Sequence, residues 1–240
     1  MNRIFVLARK ELRSAYNSPT AYAVTLFFLL FVSIWLFYVQ RFLAMDSATL
    51  RPYFALFPVA FILVVPALTM RSWAEERKMG TAEILLTMPF SEWELVLGKF
   101  FASWTVLAVA IALTVFVPLT VAPLGDFDAG AIMGEYLGAL LMGAAAVALG
   151  QFASSLSKNQ VSAFLAGVVV LLVATLANLV ASTLELPLAL ADFINYFSLS
   201  FHFESFAKGV VDSRDAAYFL LVAFLFLFLN ARVILFRKWS

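Results

Sequence analysis

The chain has 240 residues, of which 64% are hydrophobic and 13% are charged. Soluble domains carry roughly 25% charged residues, and a soluble fold of this length has too little interior to bury so much apolar sequence. The absence of cysteine excludes disulfide bonds and thiolate metal sites, a single histidine excludes a histidine-rich metal site, and a net charge of +1 gives no support to nucleic-acid binding. The composition therefore indicates an integral membrane protein.

Residues 1–18 form a candidate interfacial amphipathic helix. Basic and polar residues recur at helical spacing on one face, and apolar residues recur on another. The polar set is Arg3, Lys10, Arg13 and Asn17, and the apolar set is Phe5, Ala8, Leu12 and Ala15. Such a helix lies flat at the lipid headgroups with its apolar face down, although a basic tail that only directs topology would carry the same charges. Pro19 is expected to end this helix.

Six apolar blocks follow, each long enough to cross a hydrocarbon layer of about 30 Å as a helix. The blocks cover residues 20–40, 53–70, 100–122, 132–153, 161–182 and 215–236. They predict an all-α polytopic protein with six transmembrane helices in a single domain, residues 1–240. The fourth block contains Gly134-x-x-x-Gly138, a spacing of small residues that favours close helix packing, whereas the sixth block is bulky on all sides. We therefore expect the fourth helix to be buried among the others and the sixth to face lipid.

The distribution of lysine and arginine predicts the orientation. With the N-terminus inside, the outer loops contain four of the 16 basic residues (Arg41, Arg51, Lys208 and Arg214) and the inner segments contain the other twelve. Loops that stay in the cytoplasm carry an excess of lysine and arginine. Both termini are therefore predicted to be cytoplasmic, which requires an even number of spans.

The longest predicted inner connection is residues 71–99, RSWAEERKMGTAEILLTMPFSEWELVLGK. Gly80 is a typical helix-ending residue, Thr81 can cap a short helix, and Ser91 with Glu94 forms a capping box that opens the next long helix. The pattern predicts a long helix, a short helix and a second long helix. The apolar patch of the short helix needs a partner, which is either the bilayer surface or a groove of a soluble protein.

Two stretches resemble a known family. The run EERKMGTAEILLTMP at residues 75–89 resembles the E-x-x-x-G-T-x-E-x-L-L-x-x-P signature of ABC-2 type permeases. The runs FHFE at 201–204 and GVVDSRD at 209–215 resemble the last outer loop of the permease of the gliding-motility-associated ABC transporter. The span count, the basic N-terminal helix and the position of the inner loop agree along the whole chain. The resemblance implies an ABC-2 permease fold, like that of type V exporters, in a bacterial inner membrane.

The resemblance also implies partners and residue roles. Two permease subunits, the same or related, would pair above two cytoplasmic ATPase subunits that bind the ATP and magnesium, so this chain would need no cofactor. Segment 82–88 would be the coupling helix seated on the ATPase, with Leu85 and Leu86 inserted into it. The residues implied at this joint are Glu75, Glu76, Arg77, Gly80, Thr81, Glu83, Leu85, Leu86 and Pro89.

The predicted outer connection, residues 183–214, is too apolar for a free loop. Short amphipathic or re-entrant helices packed against protein would satisfy its backbone polar groups. They could gate the outer end of a path, bind an envelope partner or form a simple lid. The candidate residues at this end are His202, Glu204, Asp212, Arg214 and Asp215. The histidine is either a structural residue or one that contacts a substrate.

Several functional classes are disfavoured by what the sequence lacks. It has no G-x-x-x-x-G-K-[ST] phosphate loop, so the chain is not its own ATPase. No serine and histidine fall together at membrane depth for intramembrane catalysis. Ionisable residues are nearly missing from the span interiors, which argues against the alternative function, a secondary transporter or channel without an ATPase partner. The preferred function is a non-catalytic permease subunit that couples ATP hydrolysis to export or mechanical work.

Overall fold

The computed structural model describes residues 3–44, 49–81, 90–183 and 187–238, which form helices joined by turns, with no strand among them. The α-helices are α1 (Arg3–Asn17), α2 (Pro19–Ile34), α3 (Arg51–Phe54), α4 (Phe57–Thr69), α5 (Arg71–Lys78), α6 (Glu92–Leu113), α7 (Phe116–Val121), α8 (Ala129–Leu156), α9 (Gln160–Thr183), α10 (Leu188–Tyr196), α11 (Leu199–Ala207) and α12 (Ser213–Lys238). A π-helical turn at Trp35–Val39 and 3-10 turns at Phe42–Ala44 and Ala122–Leu124 extend α2 and α7.

Six helical stretches are long and apolar enough to cross a membrane, which confirms the predicted number. They are Pro19–Ala44, Arg51–Lys78, Glu92–Leu124, Ala129–Leu156, Gln160–Leu179 and Ser213–Phe236. Helix α2 and its extensions form the first span, α3 to α5 the second, and α6 with α7 the third. Helices α8, α9 and α12 are the fourth, fifth and sixth. We call the side of the bundle that carries α1 the inner side and the opposite side the outer side.

The fourth span is the centre of the bundle. Helix α8 packs against α4, α6, α9, α11 and α12. In its most apolar window 61% of the residues are buried, compared with 22% in the first and fifth spans. Small core residues such as Ala139 and Ala145 permit this close approach. The burial confirms the prediction for the fourth span, and the exposure of Leu221 and Phe224 on α12 agrees with a sixth span that faces lipid.

The second span is interrupted near its inner end. Helix α4 contains Pro66, which has no backbone N–H to donate, and ends three residues later at Thr69. Helix α5 then begins at Arg71 and continues as a charged helix beyond the apolar block. The interruption brings the polar residues of α5 alongside the inner ends of α6 and α8, where the candidate site lies.

Between Pro187 and Ser213 the structure has two short helices, α10 and α11. Helix α11 packs against α8 and buries Phe203 and Phe206. Helix α10 instead exposes Phe193 and Tyr196. Gly209 follows α11 with a positive φ of 76°, a conformation that favours glycine. The position that a Cβ atom would take at this residue lies directly against Ala131 of α8. The outer connection is therefore seated on the central helix.

Candidate functional site

Helix α1 is attached to the third span as well as being amphipathic. Its buried residue, Leu7, packs onto Gly98 of α6, where a Cβ atom would come within 2.6 Å of the leucine side chain. Leu7 is not part of the predicted apolar face and is 4% exposed, whereas Phe5 of that face is 62% exposed and remains available to lipid. The contact with α6 brings the acidic residue Glu11, one turn further along α1, to the inner end of the second and third spans.

A buried lysine joins three helices at this end. Lys99 of α6 is 3% exposed, and its ammonium group donates a hydrogen bond of 2.7 Å to Glu76 of α5. The same ammonium lies 3.4 Å from a carboxylate oxygen of Glu11 and 5.1 Å from the ring centroid of Trp73. A buried charge is tolerated only when it is well paired, and here two carboxylates and an aromatic face surround it. Helices α1, α5 and α6 are thus held together by one cation.

A serine of the central helix supplies hydrogen-bond partners to the backbone groups at the interruption of the second span. The hydroxyl of Ser154 accepts hydrogen bonds from the backbone N–H groups of Trp73 and Ala74 at 3.2 and 3.3 Å. It donates a hydrogen bond of 3.1 Å to the carbonyl of Met70, the residue between α4 and α5. Because buried backbone groups need partners, this side chain fixes the position of α5 on α8.

Replacing Ser154 with alanine is expected to destabilise the fold by about 1 kcal/mol, because buried backbone N–H groups lose their acceptor. SDS-induced unfolding in mixed micelles measures the change. The matched control is Ser155→Ala, since the hydroxyl of Ser155 donates to the Phe152 carbonyl of its own helix. Equal stability of the two variants would show that Ser154 does not hold α5 in place.

Two arginines extend the inner network. Arg77 donates a 2.6 Å hydrogen bond to the carbonyl of Ser157, the residue that ends α8. Arg71 donates a 2.8 Å hydrogen bond to the hydroxyl of Ser18, the N-cap of the first span, and lies 3.8 Å from Glu75. Helix α5 is therefore connected by side chains to the first, third and fourth spans.

Both edges of the predicted coupling segment have defined caps. Gly80 has a positive φ of 70°, and no described atom lies within 4 Å of the position that a Cβ would take. Its backbone conformation, rather than close packing, therefore favours glycine. The hydroxyl of Thr81 donates to the carbonyl of Glu76 at 3.3 Å. At the other edge, Ser91 and Glu94 form the predicted capping box with reciprocal hydrogen bonds of 2.9 and 3.2 Å.

The structure brings together only part of the predicted joint. Glu76 and Arg77 take part in the inner network, Glu75 lies beside Arg71, and Gly80 with Thr81 forms the edge of the loop. The remaining predicted residues, Glu83, Leu85, Leu86 and Pro89, lie outside the described residues. Sequence reasoning missed Glu11, Lys99 and Ser154 as members of this network. A lysine at the start of an apolar block and a serine near the end of another were the available signals.

A cavity of about 420 Å³ opens beside this network, between α1 and the inner ends of the second and third spans. Its lining contains both signs of charge, including Lys10, Glu11, Arg71 and Glu75. The balanced charges do not select an anionic or a cationic ligand.

At the outer end, His202 and Asp215 form a buried pair. The histidine is 3% exposed and its Nε2 lies 2.9 Å from the carbonyl oxygen of Tyr196, which can only accept, so Nε2 carries a proton. Its Nδ1 lies 2.7 Å from Asp215 Oδ1. The ring also stacks on Tyr218 with a centroid distance of 3.7 Å. These contacts join α11 to α12.

The other outer candidates lie at the surface. The carboxylate of Asp212 accepts from the backbone N–H of Arg214 at 2.8 Å just before α12. Glu204 lies 3.6 Å from Lys208 one turn later in an exposed pair. The structure therefore brings His202 and Asp215 together and leaves these three predicted residues separate from them.

The fold is that of a polytopic α-helical membrane protein in which buried polar contacts join the inner helix ends. The family model described as ABC-2 family transporter protein matches residues 9–232. Because this match covers most of the chain, the protein belongs to the ABC-2 transporter family and is a membrane permease subunit of an ABC transporter. Membership implies a partner ATPase subunit and a lipid bilayer as its surroundings. No match was found among curated proteins.

Proposed function

We propose that this permease couples ATP hydrolysis by a separate cytoplasmic ATPase dimer to export of a substrate, or to mechanical work, across a bacterial inner membrane. The ATPase would bind segment 82–88, and both termini would lie in the cytoplasm. The observation that carries the proposal is the buried network of Glu11, Glu76 and Lys99, which joins the helices on either side of that segment.

The network gives a physical route for force. A push on the segment reaches α5 through the turn at Gly80 and Thr81, and reaches α6 through the capping box at Ser91. The ion pairs of Lys99 oblige α5 and α6 to move together with α1. Ser154 and Arg77 connect the same movement to the central helix. Because packed helices move as rigid bodies rather than deforming continuously, a displacement of the segment would shift the inner halves of several spans together.

Replacing Leu85 and Leu86 with aspartate is expected to abolish copurification with the cognate ATPase, because a charged residue cannot enter an apolar groove without a large desolvation cost. The measurement is pull-down of the ATPase by tagged permease from detergent extracts. The control is Leu156→Asp, which introduces one of the two negative charges at an exposed leucine at the inner end of α8. Unchanged ATPase recovery with the double variant would refute docking through this segment.

A close variant of this function keeps the ATPase but replaces transport by mechanical signalling. The similarity of residues 201–204 and 209–215 to a gliding-motility-associated permease motivates this variant. It would also include a second permease copy and an envelope partner at the outer helices. Vesicles containing the permease and its ATPase separate the two. ATP-dependent flux of a substrate supports export, and permease-dependent ATP hydrolysis without any flux supports signalling.

The alternative of a secondary transporter is less well supported. Such proteins bind their coupling ion near the bilayer midplane. The buried carboxylate of the fourth span, Glu135, is six residues from the start of α8, which is roughly 9 Å along a helix and far from its centre. Flux in liposomes that contain the permease without any ATPase would revive this alternative.

A further inference from the structure

A second cavity of about 360 Å³ opens on the outer side, between the start of the second span, the start of α8 and the end of α11. Its volume falls within the range of about 300–1,000 Å³ that is typical of small-molecule sites. Four charged residues line it: Arg51, Asp128, Glu135 and Lys208. The cavity is on the opposite side of the bundle from the inner network and independent of the proposed coupling.

The buried end of the cavity carries a carboxyl group, and one of its oxygens has no hydrogen-bond partner. Glu135 is 1% exposed, and its Oε1 atom is buried without a hydrogen-bond partner. Within the described parts of the chain, no lysine or arginine nitrogen forms an ion pair with it. Leaving a buried carboxyl oxygen without a hydrogen-bond partner is costly, so this position fits a ligand that supplies donors.

Two cations lie at the same cavity. Arg51 is the first residue of α3, and its guanidinium makes one hydrogen bond of 3.5 Å, to the carbonyl of Lys208. The ammonium of Lys208 is 64% exposed and its partner, Glu204, lies 3.6 Å away at the surface. Both cations therefore have unused donors. Asp128 is already occupied, since its Oδ1 accepts from the backbone N–H groups of Gly130 and Ala131.

We propose that this cavity binds an ammonium–phosphate zwitterion, namely the phosphoethanolamine headgroup of a phospholipid in the outer leaflet. Its primary ammonium would donate to Glu135, and its phosphate would accept from Arg51 and Lys208. Arginine and lysine are the residues that proteins use to bind phosphate. A primary ammonium carries three donors, whereas a quaternary choline has none and a glycerol headgroup has no positive charge.

Binding is tested with the full chain, delipidated in detergent without any ATPase and titrated with phosphatidylethanolamine, phosphatidylglycerol or phosphatidylcholine of matched chains. Native mass spectrometry gives the dissociation constants. We expect phosphatidylethanolamine to bind at least about tenfold more tightly than the other two, as a hydrogen-bonded charge would give. Glycerophosphoethanolamine, which lacks the acyl chains, distinguishes the sources. If it binds as tightly as the whole lipid, the ligand is a soluble zwitterion of the same chemistry.

Two variants and a control complete the test. Glu135→Gln should remove the preference for phosphatidylethanolamine, and the exposed Lys208→Gln should weaken binding of every phosphate-containing headgroup about tenfold without endangering the fold. The control is Asp192→Asn on α10, which removes an exposed outer carboxylate away from the cavity. Equal affinity for all three lipids, or an unchanged preference in Glu135→Gln, would overturn the proposal.

Discussion

Replacing Lys99 with methionine is expected to destabilise the permease by about 3 kcal/mol, the largest effect of any single substitution considered. Methionine keeps the length and apolar character of the lysine stem but removes its charge. Without the ammonium, the carboxylate of Glu76, now 2.7 Å from it, would lose its cation, and that of Glu11, now 3.4 Å away, would keep only the exposed Lys10 at 3.7 Å. SDS-induced unfolding in mixed micelles measures the loss of stability.

A control variant and a rescue variant distinguish the effect of the Lys99 ion pairs on stability from the effect of a surface charge. Lys10→Met removes a 66% exposed lysine that lies 3.7 Å from the same Glu11, and should change stability by less than about 0.5 kcal/mol. Adding Glu76→Gln to Lys99→Met should restore part of the loss, because the carboxylate left without a cation is gone. A Lys99→Met variant as stable as the original protein would show that the network does not hold the inner helix ends together.

The elements that could be predicted from sequence are those whose signals are local. The capping box needs only Ser91 and Glu94, three residues apart, and the spans need only continuous apolar blocks of sufficient length. The spacing of Gly134 and Gly138 likewise indicated a buried fourth span. In each case the physical cause acts within one or two helical turns, so its pattern is readable without knowing the packing.

The inner network could not be predicted in the same way. Glu11, Glu76 and Lys99 come from three helices, and whether their side chains meet depends on how those helices are packed. The face of α1 illustrates the problem. Amphipathicity alone identified the face that contains Phe5, whereas Gly98 on a distant helix provides the groove that selects Leu7. Long-range contacts of this kind are set by tertiary packing rather than by periodicity.

The outer candidates show the same limit. His202 and Asp215 are 13 residues apart, and the sequence placed the histidine in a loop where contact with a substrate was conceivable. The structure places it inside α11, buried and bonded at both ring nitrogens. Tyr218 also stacks on its ring. These contacts depend on tertiary packing, and a lone histidine in a sequence predicts none of them.

Replacing Gly138 with alanine is expected to destabilise the permease by about 2 kcal/mol, because the added methyl group has no space. A Cβ atom at this position would lie 2.5 Å from both Cβ and Cγ of Phe206. These atoms are close to the backbone of α11, so a rotation of the phenylalanine side chain cannot relieve the clash. Helix α11 would have to move away from α8, and SDS-induced unfolding measures the cost.

The matched control lies one turn earlier on the same helix. At Gly134 the nearest atoms to an added Cβ are 3.7 Å away, which is ordinary van der Waals contact. Gly134→Ala should therefore be neutral or stabilise the protein by up to about 1 kcal/mol, because alanine loses less backbone entropy in a helix. The two glycines occupy the same motif, so opposite signs for the two substitutions would assign the close contact to α11 at Gly138. Equal destabilisation by both substitutions would contradict this assignment, because it would mean that the Gly134 site is packed as tightly as the Gly138 site.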